Sequence, residues 1–206
     1  MNKRALLTTL CGTTLAASVA IASAATIGLM APLSGPQALV GQDPVDGFLL
    51  GLEQHGGKLG GQPVTVVKED DQLKPEVGQQ AVRKLIDKDK VDVIVGLSFS
   101  NVLMGSLPRI AESGVVAIAT NALPSPLAGA QRKANLFSMT WQNVGAAETM
   151  GKFAQDRGIK CVYLMAPCYQ ARKDILADFK RFYKGQVVHE VYTHSAVTGR
   201  GPVRGA

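Results

Sequence analysis

The chain has 206 residues, of which 46% are hydrophobic and 18% charged, an ordinary composition for a globular protein with a sizeable core. Its formal net charge of +6 arises from 22 basic and 16 acidic residues. Acidic and basic side chains are mixed along the chain, as at residues 68–71 and 87–90, and do not form a basic stripe. We therefore expect no nucleic-acid partner.

The N-terminal segment has the three parts of a secretion signal. Lys3 and Arg4 give a basic start, residues 5–21 are apolar and uncharged, and residues 22–24 (Ala-Ser-Ala) are the small residues that precede a cleavage point at Ala25. An N-terminal membrane anchor is the alternative, because the apolar run approaches the length of a membrane span. The cleavage pattern and the Gly, Thr and Ser content favour a signal peptide at residues 1–24 and an exported protein.

Apolar strands and amphipathic helices alternate after this segment. Strands are predicted at residues 26–31, 64–68, 91–97, 115–119, 136–140, 160–165 and 187–192. Helices are predicted at residues 43–55, 75–88, 101–113, 146–157 and 170–184. Asp43 is the expected N-cap of the first helix, with Pro44 at its first position. The alternation predicts an α/β fold of mainly parallel sheets flanked by helices.

Residues 194–206 break this order. They have no hydrophobic period and no aromatic residue, and Gly, Pro and Arg recur throughout. A frayed C-terminal tail is one interpretation. Truncation or a shifted reading frame is the interpretation that we favour, because little of a second core precedes the segment.

Two cysteines, Cys161 and Cys168, lie beyond the predicted signal. Seven residues of extended chain span roughly 20 Å, which is beyond the reach of a disulfide. We expect both thiols to be free and Cys161 to be buried in its strand. No histidine is spaced with a cysteine as in a metal site, so no metal is predicted.

The loops after the strands are the candidate binding region, because ligands of open α/β sheets lie outside the carboxyl ends of the strands. Ser98 and Ser100 follow the third strand and open a helix, where hydroxyls and free backbone N–H groups suit a carboxylate. A plain N-cap at Ser100 or Asn101 is the alternative. Residues 69–71, after the second strand, look like a solvated strand end.

Later strands add further candidates. The loop with Asn121, Ala122 and Leu123 offers carbonyls to an ammonium group. Trp141, the sole tryptophan, is either a buried packing residue or a wall against the side chain of a ligand. Tyr169 follows a strand and carries a hydroxyl donor. Because no Ser/His/Asp order, nucleophile elbow or phosphate loop is present, we predict neither an enzyme nor a cofactor.

Several short motifs follow one another along the chain. They include residues 27–36 (IGLMAPLSGP), 56–61 (GGKLGG) and 69–72 (EDDQ), and Gly96 followed by Ser98 and Ser100. Together these motifs resemble the leucine/isoleucine/valine-type periplasmic binding proteins of ABC importers. Residues 121–129 (NALPSPLAG) and 141–143 (WQN) look closer to members assigned to aromatic or other small organic acids. The resemblance extends from residue 1 to about residue 193.

The resemblance implies two α/β lobes that close over a small ligand. Lobe one is expected at residues 25–143, complete except for its hinge-return segment, and lobe two only in part, at residues 144–193. By position, Ser100 would take the ligand carboxylate, and the backbone of Asn121 and Leu123 would accept an ammonium group or contact an acid. Tyr169 would close from lobe two.

The resemblance also implies a function. The chain would be a periplasmic, monomeric, substrate-binding component that imports amino acids or small organic acids through an ABC permease of the inner membrane, without a cofactor. Because half of the cleft is expected to be missing, we predict weak or absent binding. A ligand-sensing regulator of the same fold is the alternative, and the secretion signal argues against it.

Overall fold

The computed structural model describes residues 24–121, 123–167 and 170–193. The strands in these ranges are β1 Ala25–Ala31, β2 Lys58–Leu59, β3 Gln62–Asp70, β4 Val93–Gly96, β5 Val116–Ala119, β6 Leu136–Ser138, β7 Cys161–Pro167 and β8 Gln186–Thr193. The helices are α1 Ala38–Gln54, α2 Pro75–Arg83, α3 Ser100–Ser113, α4 Gly145–Asp156 and α5 Gln170–Phe182. The predicted α/β alternation is confirmed.

Six strands form one sheet in the order β2-β3-β1-β4-β5-β6, and β7 and β8 form a second sheet. All pairs are parallel except β2 with β3. β1 is central in the larger sheet, with Ile27 opposite Val66 on one side and Val93 on the other. Its sequence, apolar except for Thr26, reflects this position, because helices cover both faces of a parallel sheet.

The helices divide between the two faces of the larger sheet. α2 and α3 enclose one core cluster, which contains Leu85, Ile94 and Leu103. On the other face, Val45 of α1 packs with Ile27 in a second cluster. The chain therefore leaves β1 towards one face and leaves β4 towards the other. Between two neighbouring strands this change of direction opens a crevice at their carboxyl ends, the place where open α/β sheets bind ligands.

The smaller sheet is covered by α5 on one side. Leu164 and Ala166 of β7 pack against Leu176 of α5. The alternate residues of β7 face away from this helix, and Tyr163 is 52% exposed. Cys161 lies on that uncovered side and is exposed, so the prediction of a buried thiol is wrong.

The first helix begins earlier than predicted. α1 starts at Ala38 after Gln37, so Asp43 is not the N-cap and Pro44 lies inside the helix. The first turns of α1 lie directly on the end of β1, because a Cβ on Gly41 would come within 2.0 Å of the carbonyl oxygen of Pro32. That tertiary contact extends the helix backwards past a proline that usually marks a helix start.

Two other details differ from expectation. The helix predicted at residues 75–88 has its last five residues, Lys84–Lys88, wound as a π-helical turn. The short antiparallel strand β2 was not predicted. Within the described ranges, none of the helices is long and apolar enough to cross a membrane.

Candidate ligand-binding site at the carboxyl edge of the sheet

The end of β4 has an unusual backbone that delivers Ser98 to the sheet edge. Gly96 has a φ of 123°, and a Cβ there would lie 1.9 Å from the carbonyl oxygen of Met30. Leu97 follows with a φ of 53°, and its N–H donates to the same carbonyl over 3.0 Å. A left-handed conformation costs a non-glycine residue about 1 kcal/mol, and such strain concentrates at functional sites.

Ser98 and Ser100 are both almost completely buried, at 2% exposure. Ser98 Oγ has no hydrogen-bond partner among the described residues. Phe99, not Ser100 or Asn101, occupies the N-cap position of α3, and no side chain caps the helix, so the plain N-cap alternative is wrong. The first N–H groups of a helix have no partner within it, and α3 therefore presents donors beside two serine hydroxyls.

Asn143 joins two of the predicted segments. Its side-chain amide donates to Ser100 Oγ over 3.2 Å, and its backbone N–H donates to the carbonyl of Leu123 over 3.2 Å. Leu123 also packs its side chain against the core cluster beneath α3. Sequence reasoning placed Asn143 only in the WQN run and gave it no role. Its position at the predicted end of lobe one was the available signal.

The loop after β5 is tied to the end of β4. The backbone N–H and the hydroxyl of Thr120 both donate to the carbonyl of Gly96, over 2.8 and 3.2 Å. Asn121, the next residue, is exposed at the sheet edge. Ala122 and Tyr169 lie outside the described residues. The structure thus brings the segments of Ser98, Ser100, Asn121 and Leu123 to one edge of the sheet.

Trp141 is 78% exposed, so its interpretation as a buried packing residue is wrong. It lies just beyond β6, and Phe137 and Met139 before it are also exposed, at 55% and 78%. The indole is therefore available as a surface against a ligand or another part of a binding cleft.

Two adjacent carboxyl groups follow β3 and have opposite environments. Asp70 Oδ1 accepts hydrogen bonds from the backbone N–H groups of Leu33 over 2.8 Å and Gln72 over 2.9 Å. Burial opposes its ionisation, but these bonds and those from the side chain and the backbone of Ser34 together lower the pKa of Asp70. The bond to Leu33 ties this carboxyl group to the loop that follows β1.

Asp71 is completely buried, which contradicts the interpretation of residues 69–71 as a solvated strand end. Its Oδ1 accepts from the N–H of Leu73 over 2.8 Å, while Oδ2 has no partner in the described part of the chain. Burial raises the pKa of Asp71 to about 6. In the described ranges no three His, Cys, Asp or Glu residues group as metal ligands would.

Comparison with known proteins identifies the family. Residues 24–199 match the family model described as periplasmic binding protein. The Leu/Ile/Val-binding protein homolog 6 of Brucella abortus (strain 2308) is 28% identical over 206 residues, which are 98% of this chain and 52% of that protein. The chain thus spans about half the length of this relative.

Solved structures agree with the sequence match. The solute-binding protein of an ABC transporter from R. palustris, in complex with benzoate, is 29% identical with a TM-score of 0.80, over 84% of this chain and 49% of that one. A second R. palustris solute-binding protein, in complex with 4-hydroxybenzoate, is 27% identical with a TM-score of 0.77, over 86% and 49%. The resemblance found in the sequence is confirmed, and the chain belongs to the periplasmic binding protein family.

Proposed function

We propose that this chain supplies the carboxylate-binding wall of a solute-binding protein that delivers small organic acids to an ABC permease. The observation that carries the proposal is the uncapped N-terminus of α3, with Ser98 and Ser100 buried beside it at the crevice between β1 and β4. A helix N-terminus stabilises an anion through its dipole and its free N–H groups. Ser98 Oγ, which has no partner among the described residues, is a natural further donor.

The hydrogen bond of Asn143 orients the hydroxyl of Ser100 for this role. An amide nitrogen can only donate, so the Ser100 oxygen is the acceptor in the 3.2 Å contact. The hydroxyl hydrogen is then left to donate to a second acceptor. A ligand carboxylate above the first turn of α3 would be such an acceptor, and charge-assisted bonds of this kind are stronger than neutral ones.

We favour an aromatic or other organic acid over an amino acid as the ligand. An amino acid also needs acceptors for its ammonium group, and one of the two lone pairs of the Leu123 carbonyl already accepts from Asn143. The exposed indole of Trp141 offers a surface suited to a flat apolar ring. The R. palustris proteins in complex with benzoate and 4-hydroxybenzoate support this choice. Because the Brucella relative is named for Leu/Ile/Val binding, branched-chain amino acids are the second ligand class to test.

Export and delivery of the ligand complete the proposed role of the chain. Residues 1–24 would direct export to the periplasm, residues 25–143 would form lobe one, and residues 144–193 would begin a second lobe that carries Tyr169. The protein would act as a monomer that presents its ligand to the permease. Cell fractionation tests the location: mature protein that starts at Ala25 in the periplasmic extract is expected, and an uncleaved chain in the cytoplasm or membrane would contradict it.

Calorimetric titration of the full chain with benzoate, 4-hydroxybenzoate, leucine and valine tests the binding proposal. We expect the benzoates to bind more tightly than the amino acids. Replacement of Ser100 by Ala should weaken benzoate binding about tenfold, which corresponds to loss of one charge-assisted hydrogen bond. Ser113→Ala is the matched control, because Ser113 lies at the opposite end of α3 and bonds only local backbone groups in the described structure. Equal affinities of the two variants would overturn the role of Ser100. No binding of any probe would overturn the binding proposal and would favour the absent binding expected of half a cleft.

A further inference from the structure

The last residue of β3 and the loop that joins this strand to α2 are fastened to both sides of the crevice. We call these residues, 70–74, the brace loop. On one side, Asp70 Oδ1 accepts from the N–H of Leu33, in the loop after β1, over 2.8 Å. On the other side, the side-chain amide of Asn101 donates to the carbonyl of Leu73 over 2.9 Å. The brace loop therefore connects the chain that leaves β1 with the first turn of α3.

The brace loop holds a conformation that its sequence does not favour. Gln72 and Leu73 have φ angles of 51° and 61°, both in the left-handed region and neither a glycine. Three hydrogen bonds offset this strain: Asp70 Oδ1 accepts from the N–H of Gln72, Asp71 Oδ1 accepts from that of Leu73, and the carbonyl of Asp71 accepts from that of Lys74. The direction of the Leu73 carbonyl is thus fixed within the loop itself.

Asn101 connects the fixed carbonyl of Leu73 with the first turn of α3, where the proposed site lies. It follows Ser100 directly at the start of α3, and its side chain is partly buried. Its Oδ1 has no partner in the described ranges, so its side chain contributes a single observed bond, the one to Leu73. A buried amide oxygen without a partner destabilises the fold. A need for the bond from the amide nitrogen of Asn101 to Leu73 accounts for an asparagine at this position despite that cost.

We infer that Asn101 is a positioning residue for the proposed carboxylate site: its bond to Leu73 holds the first turn of α3, and with it Ser100, in register with the loop after β1. The inference rests on the function proposed above. The first turn of α3 has no side-chain cap, and in the described structure the bond from Asn101 to Leu73 and the bond from Asn143 to Ser100 fasten it to other segments. Asn101 acts through Ser100 and the helix and makes no contact with the ligand in this scheme.

The test compares Asn101→Ala with Leu107→Val in the full chain. Leu107 is a buried residue of the same helix, remote from the first turn, and its truncation destabilises the fold without touching the brace loop. Benzoate titration is expected to give about a three- to tenfold weaker affinity for Asn101→Ala, the equivalent of one hydrogen bond. Leu107→Val should retain the affinity of the unmodified chain even where its unfolding midpoint falls further.

Hydrogen exchange gives a second readout that does not depend on ligand. The N–H of Leu103 bonds to the carbonyl of Phe99 over 2.9 Å and reports on the first turn of α3. Faster exchange is expected at the amides of Leu103 and Met104 in Asn101→Ala, and unchanged exchange there in Leu107→Val.

The experiments distinguish failure of the proposed carboxylate site from failure of the positioning role of Asn101. If Ser100→Ala weakens benzoate binding and Asn101→Ala does not, the positioning role is overturned and the proposed function stands. If no probe binds the unmodified chain, the proposed function fails. Hydrogen exchange then tests by itself whether the bond from Asn101 to Leu73 holds the first turn of α3. Faster exchange in Asn101→Ala then supports the fastening of α3 to the brace loop, and unchanged exchange overturns it.

Discussion

The side-chain amide of Asn143 reaches Ser100 across 43 residues of chain, with 3.2 Å between Nδ2 and Oγ. Asn143 lies where lobe one is predicted to end, and Ser100 opens the helix proposed to hold the ligand carboxylate. The contact therefore connects the proposed binding group with the segment through which the chain would leave the first lobe. In a protein that closes over its ligand, such a segment is where hinge motion is expected.

Replacement of Asn143 tests the orientation of the Ser100 hydroxyl. Asn143→Ala should weaken benzoate binding by roughly three- to tenfold, because the hydroxyl is no longer held as an acceptor by the amide. Asn143→Asp should weaken it further, since a carboxylate would accept the hydroxyl hydrogen and repel the anionic ligand. Calorimetric titration at pH 7.5 measures both. Binding by Asn143→Asp that equals or exceeds binding by Asn143→Ala would contradict the proposed orientation.

Trp141 offers a direct optical test because it is the only tryptophan. Its indole is 78% exposed, so a ring that stacks on it should shift or quench its emission. Trp141→Ala should weaken benzoate binding and change the free energy of unfolding by less than about 0.5 kcal/mol, as is usual for exposed side chains. Phe137→Ala, which removes another exposed aromatic residue, in β6, is the matched control. Emission that stays constant during benzoate binding would place the ligand away from the indole.

The parallel strands and the helices α3 and α4 could be predicted because the hydrophobic pattern of each segment matches the burial of its residues in the fold. β4 is apolar throughout, β1 is apolar except for Thr26, and both strands are covered on both faces. The predicted starts of α3 and α4 lie within one residue of the observed starts. The candidate loops also reach one sheet edge, since parallel strands place all their carboxyl ends there.

The remaining features depend on contacts between distant residues. Pro44 has the sequence signature of a helix start, yet α1 begins five residues before the predicted start, in a segment where Gly41 packs on the carbonyl of Pro32. Asp71 is charged and follows a strand, yet the fold buries it. Asn143 gains its importance from Ser100, 43 residues away. The position of Asn143 at the predicted end of lobe one is its one sequence signal, and the sequence carries no local signal for the other two relationships.

The helix start can be tested with two glycines of α1. A Cβ on Gly41 would lie 2.0 Å from the carbonyl oxygen of Pro32, whereas a Cβ on Gly47 meets no atom within 4 Å. Gly41→Ala should lower the free energy of unfolding by more than about 2 kcal/mol, because backbone must move. Gly47→Ala should raise it by roughly 0.5 to 1 kcal/mol through helix propensity. Urea denaturation measures both, and equal effects would mean that residues 38–42 are not packed on β1.

Asp71 should make the fold less stable as pH rises. Its pKa is raised to about 6 in the folded chain from 3.8, so between these values the folded state holds a proton that the unfolded state has lost. Stability therefore falls as pH increases from about 4 to about 6, by roughly 2 to 3 kcal/mol in total. Asp71→Asn should remove this slope in urea denaturation measured from pH 4 to 7.5. A variant that keeps the slope of the unmodified chain would show that another group titrates.

Asp70 should show the opposite sign, although it is the adjacent residue. Hydrogen bonds from Ser34 and from the backbone N–H groups of Gln72 and Leu33 outweigh burial and lower its pKa. The stability that its carboxylate provides is therefore present above about pH 4 and is lost as pH falls below that value. Asp70→Asn should lower the free energy of unfolding by roughly 1 to 3 kcal/mol at pH 7, because charge-assisted bonds to the loop after β1 are weakened. The difference from the unmodified chain should shrink as the pH falls through the lowered pKa of Asp70, because the protonated carboxyl loses its charge-assisted bonds. A difference that grows instead on acidification would mean that Asp70 is not the anchor of that loop.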